Sequence, residues 1–146
     1  MEISMTRQPI LIVDDGGSTI CNYVSSLRLN GYQAVIVTDC AHALLVAHME
    51  QPVLAIIACG STDGAALLTC ECLQSHTSTY HVPIMVIADK GGSAEVRRAL
   101  RESADSYVKI PCDPSLILDE VRRLLGQNKE PADEGGNAHR CHISKE

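Results

Sequence analysis

The chain has 146 residues, 45% of them hydrophobic and 21% charged, enough for one domain with a real core and too few for two ordinary ones. Its net charge is −6 and its basic residues occur only in short pairs such as Arg97-Arg98 and Arg122-Arg123, so no nucleic-acid surface is expected, because phosphate neutralisation needs clustered cations. No apolar run approaches the roughly 20 residues of a membrane span, and no leader pattern opens the chain. A cytoplasmic location without membrane contact is the expectation, and the seven cysteines, odd in number and mostly in apolar stretches, are read as reduced thiols.

Pro9 to Val13 is a short apolar run closed by Asp14-Asp15-Gly16-Gly17, the pattern of a buried strand entering a turn. Ile20, Tyr23, Val24 and Leu27 then recur at helical spacing, and Asn30-Gly31 supplies a left-handed stop. Tyr32 to Val37 reads as the second strand. Asp39 caps a helix running to about Met49, with Ala43, Leu44, Val46 and Ala47 inside and Pro52 as the breaker. Val53 to Ala58 is the third strand, followed by a helix from near Asp63 that carries Leu67, Leu68, Cys70 and Cys72. Pro83 to Ala88 is the fourth strand. Ser93 caps the next helix, with Val96, Ala99 and Leu100 inward, and Ser106 to Val108 is a brief fifth strand. Asp113-Pro114 starts the last helix, whose apolar face runs from Leu116 to Leu125 before Gly126.

Five apolar strands alternating with five helices predict an α/β fold, a parallel sheet covered on both faces. The expected form is a doubly wound, five-stranded, flavodoxin-like sheet of order 2-1-3-4-5, with its crevice at the carboxyl ends of strands one and three. Residues 1–8 would be an N-terminal extension, 9–126 the domain, and 127–146, poor in aliphatics, a disordered tail.

Residues 9–125 resemble response-regulator receiver domains. The resemblance is carried by Ile-Leu-Ile-Val-Asp14-Asp15, Asn30-Gly31-Tyr32, Asp63-Gly64, Val82-Pro83-Ile84, Ala104-Asp105-Ser106-Tyr107 and Pro111-Cys112-Asp113-Pro114, in the family's order. It implies a site of five groups: two acids after strand one and an aspartate ending strand three that hold Mg²⁺, a Ser or Thr ending strand four, and a Lys after strand five. Here the acids Asp14 and Asp15 are present and the other three are not. Counting along strand three puts Ala58 at the acceptor; counting back from Asp63 puts Ile56 there, the loop being two residues short. The hydroxyl position falls at Ala88 and the cation position at Ile110. Lys109 is one residue early, and strand alternation turns it to the other face unless a bulge intervenes. Such a chain resembles a degenerate receiver, or pseudo-receiver, in which Asp14 and Asp15 form a relic acidic pocket that would hold Mg²⁺ poorly.

Tyr107 falls at the aromatic position that moves inward in receivers when phosphate draws the strand-four hydroxyl over. Since Ala88 has no hydroxyl and leaves room, the ring is expected to rest in one rotamer; the alternative is a half-buried tyrosine of no regulatory use. The function this implies is two-component or phosphorelay signalling through phosphorylation-independent protein contact, with no catalysis of its own, no cofactor and no effector domain. The partner would be a kinase, chemotaxis or other regulatory protein, meeting the fourth helix, fifth strand and fifth helix at Arg97, Arg98, Arg101, Tyr107 and Lys109. One alternative keeps phosphotransfer, with Asp63 as acceptor and Lys109 turned inward. Another is a flavin- or nucleotide-binding protein using Gly16-Gly17-Ser18-Thr19, although Asp14 and Asp15 would repel an anion there. Cys59-Gly60, the Cys70/Cys72 pair and His139-Arg140-Cys141-His142 are read as packing, boundary and tail residues respectively.

Overall fold

A computed structural model describes residues 8–14, 20–59, 63–88 and 94–126. The readings that fall on Asp15 to Thr19, Ser93, and the tail from residue 127 with His139 to His142 lie outside them, as do those on the side chain of Asp63.

Strands and helices alternate strictly: β1 (Ile10–Asp14), α1 (Cys21–Leu29), β2 (Ala34–Val37), α2 (Cys40–Glu50), β3 (Leu54–Cys59), α3 (Asp63–Ser75), β4 (Ile84–Ala88), α4 (Ala94–Ser103), β5 (Ser106–Lys109) and α5 (Pro114–Leu124). All strands are parallel, in the order β2-β1-β3-β4-β5. Several strand ends lie one or two residues from the sequence expectation, and three of the shifts have a plain cause. β2 begins at Ala34, because Tyr32 N is used to bond Leu27 O at the end of α1. β3 runs one residue further, to Cys59, and β5 continues through Lys109, since both remain in register with Ala88.

Period-two alternation divides the core in two. Ile10, Ile12, Ile56, Ala58, Met85, Ile87, Val108 and Ile110 face α1 and α5, while Leu11, Val13, Ala55, Ile57, Cys59, Val86, Ala88 and Tyr107 face α2, α3 and α4. Both sides of the central strands are buried, which is why their sequences read as continuous apolar runs. Local chemistry ends the helices. Asp39 caps α2 by accepting from His42 N at 2.8 Å, and Asp113 caps α5 by accepting from Ser115 N at 3.0 Å. Gly31 takes φ +94° after α1 and Gly126 φ +74° after α5, a region that favours glycine. Gln51 takes the same left-handed role after α2, at φ 51°, ahead of Pro52. On α5, Ile117, Leu118 and Val121 are buried but Leu116 faces outward. Among the described residues, no helix is long and apolar enough to cross a membrane.

Candidate functional site

The carboxyl ends of β1 and β3 meet as expected of this topology. Asp14 pairs with Ala58 across the sheet, and Ile56 lies two residues deeper, beside Ile12. Ala58 is therefore the β3 residue level with the acidic end of β1. It is 4% exposed and lines a crevice of about 120 Å³ with Val13, Thr38, Cys40, Leu68 and Thr69. Asp15 and the side chain of Asp63 are outside the described residues.

The other two positions are also apolar. Ala88, 1% exposed, pairs with Cys59 on one side and Lys109 on the other, and its carbonyl accepts from Ile110 N at 2.9 Å. Ile110 is 6% exposed and turns to the α5 layer. Lys109, one residue earlier and so on the opposite face, is exposed and borders a groove along β5 and α5 rather than joining Ile110. Alternation alone accounts for this, without a bulge.

Tyr107 is not half-buried; its ring is among the largest fully buried side chains, packed in the layer that contains Ala88 and Leu100. The Arg101 guanidinium lies over that ring at 4.8 Å from its centroid, a cation–π arrangement. Neither the Tyr107 hydroxyl nor Arg101 Nε, both buried, has a hydrogen-bond partner among the described residues. Burial pushes the Tyr107 phenol above its ordinary pKa, with Arg101 opposing the shift. Of the expected partner-surface residues, Arg98 and Lys109 are exposed, Arg97 and Arg101 partly buried, and Tyr107 inside.

Sequence reasoning missed the groove on that face. It measures about 420 Å³ and is lined by Tyr107, Val108, Lys109, Cys112, Leu116 and Asp119, with Leu116 54% exposed at its edge. Its base is braced by Glu120, a buried carboxylate that accepts from Ser106 Oγ at 2.8 Å and pairs with Arg123. Across the same layer, Tyr23 Oη donates to Cys112 O at 3.2 Å and accepts from Cys112 N at 3.1 Å.

The geometry has close counterparts among solved structures. The signal receiver domain of a signal transduction histidine kinase from Syntrophus aciditrophicus superposes with a TM-score of 0.70 over 84% of this chain and 93% of that one, at 22% identity. The chemotaxis response regulator CheY4 of Vibrio cholerae gives 0.67 over 81% and 98%, at 18% identity. The fold is that of response-regulator receiver domains. In sequence the chain is related to the DNA-binding response regulator MtrA, with 29% identity over 128 residues in Mycolicibacterium smegmatis and 28% over 128 residues in Mycobacterium leprae. These matches cover 87% of this chain and 55–56% of the relatives, so the receiver-like chain spans about half their length. No family model matches it.

Proposed function

We propose that this chain is a pseudo-receiver, a response-regulator module in two-component or phosphorelay signalling that acts by protein contact and accepts no phosphoryl group. One observation carries the reading. The positions level with the nucleophile, hydroxyl and cation of receiver chemistry hold Ala58, Ala88 and Ile110, each buried and each without a polar side-chain atom. An attacking oxygen, a hydrogen-bond donor and a balancing positive charge are all needed to form and hold an acyl phosphate. Asp14 and Asp15 alone offer a hard cation too few oxygens for octahedral closure. The face that would meet a protein partner is the groove between β5 and α5, with Leu116 as its apolar edge and Lys109 as its exposed cation, and the exposed Arg98 of α4 as a further cation of the same partner surface.

The test is incubation of the purified chain with acetyl phosphate and Mg²⁺, followed by intact mass measurement. Unchanged mass is expected, with a conventional receiver treated in parallel acquiring the phosphoryl group. A phosphoryl adduct mapped to Asp63, or to any other carboxylate of this chain, overturns the proposal.

A further inference from the structure

β5 stands at the edge of the sheet. In the order β2-β1-β3-β4-β5 its strand neighbour, among the described residues, is β4 alone, so one of its two hydrogen-bonding edges enters the sheet and the other points away from it. That second edge borders the groove of about 420 Å³ between β5 and α5. Tyr107, Val108 and Lys109, three consecutive strand residues, all line the groove, although their side chains alternate between the two faces of the sheet. What three such neighbours have in common is their backbone edge. A row of strand N–H and C=O groups open to a groove is a template for another strand.

The two walls beside this edge differ in chemistry. Val108 and Ile110 turn to the α5 layer, and on that side Cys112 and Leu116 line the groove, with Asp119 beyond them at 3.7 Å from Arg122. Tyr107 turns to the α4 layer and Lys109, by alternation, to the same side, where Arg101 covers the Tyr107 ring and Arg98 is exposed one turn earlier. A strand laid along β5 alternates its side chains in the same way. One set then meets an aliphatic wall and the other a cationic one.

We propose that the groove receives an extended segment of a partner protein as a further strand beside β5, with aliphatic side chains toward Leu116 alternating with acidic ones toward Lys109 and Arg98. The inference rests on the reading of this face as the partner surface, and it is independent of whether the chain accepts phosphate.

The test titrates the acetylated, amidated peptide Glu-Val-Glu-Val-Glu-Val into the isotope-labelled full-length chain, followed by amide NMR. Signals along β5 and at Leu116 should shift, and the β5 amides that point away from β4 should exchange with solvent more slowly. Residues of a strand whose side chains share a face also point their N–H groups to one edge. N-methylating every Val, or instead every Glu, therefore blocks one edge of the peptide at a time. One form should lose about tenfold or more in affinity while the other keeps it. Replacing Glu by Lys in the peptide should weaken binding about tenfold, and Lys109→Glu, at an exposed position, should reverse that preference. Shifts at Leu116 and Lys109 that both N-methylated forms reproduce, or that both abolish, keep the partner face and overturn the strand. An unshifted spectrum at millimolar peptide also overturns it. So do outward β5 amides already protected in the peptide-free chain, whether by a second copy or by residues 127–146.

Discussion

Removing the Tyr107 hydroxyl should stabilise the protein. The ring is 1% exposed and stacked under Arg101, and its oxygen has no hydrogen-bond partner among the described residues. A hydroxyl buried without a partner costs roughly 1–3 kcal/mol relative to its hydrated state, whereas the ring beneath it contributes burial and the cation–π contact in either residue. Tyr107→Phe keeps the ring, its packing against the α4 layer and the stack, and deletes only the unpaired group. The expected change is about 1 kcal/mol in favour of the folded state, a rise of roughly 4 °C in melting temperature for a domain of this size. Tyr107→Ala supplies the opposite arm. It empties a fully enclosed aromatic site and should cost about 3–5 kcal/mol. Urea titrations of the three proteins read both effects as midpoint shifts at constant slope. If Tyr107→Phe lowers stability by about 1 kcal/mol or more, the hydroxyl is paired in solution and the reasoning fails.

Introducing a carboxylate by Ala58→Asp places a charge at a 4% exposed site beside Asp14, and should cost roughly 3 kcal/mol at pH 7 in urea titrations without Mg²⁺. Burial and the like charge would raise the new group's pKa, so the penalty relative to wild type should shrink as pH falls through that raised value; wild-type stability at pH 7 would refute it. The caps Asp39 and Asp113 have pKa values lowered from the ordinary 3.8, each chiefly by the backbone N–H it accepts, from His42 and Ser115 respectively. Because a lowered folded-state pKa stabilises above the unfolded value and the benefit fades as pH falls through the folded one, Asp39→Asn with Asp113→Asn should flatten the stability–pH curve below about pH 4 and leave its shape near neutrality unchanged. Burial pushes the Cys70 thiol up to about 12, with Cys59 and Glu71 adding to the shift, so at pH 8 iodoacetamide should modify exposed Cys21 well before Cys70 in the native protein and both alike in urea.

Much of the fold was legible because its signals are local. Asp39, Gly31, Asp113-Pro114 and Gly126 mark helix ends by their own backbone and side-chain chemistry, and the structure uses each one where the sequence places it. Buried strands in a two-sided sheet read as apolar runs, so β1, β3 and β4 were visible, and the order of pairing followed from the strict alternation of strand and helix and the doubly wound sheet it calls for. What stayed hidden depends on residues meeting across the fold. Glu120 reads as a polar position on an amphipathic helix, and nothing local says that Ser106 will stand over it. Leu116 belongs to the apolar stripe of α5 by periodicity, yet the helix settles on Ile117, Leu118 and Val121 and leaves it at the groove. The full burial of Tyr107 likewise depends on the layer it shares with Ala88 and on the cover given by Arg101, neither of which is visible locally.

Whether the face formed by α4, β5 and α5 holds a single state is decided by the balance at Tyr107. Turning the ring outward would surrender roughly 2 kcal/mol of burial and about 0.5–1 kcal/mol of contact with Arg101. It would also let the hydroxyl regain water, recovering about 1–3 kcal/mol. The two sides nearly cancel, a narrower margin than a permanently fixed rotamer implies. A partner seated in the β5–α5 groove would then need only about 1–2 kcal/mol of differential affinity, roughly tenfold, to choose the ring's position. Tyr107→Phe, by removing the gain from hydration, should hold the ring inward and shift partner affinity in the direction of whichever state the partner prefers.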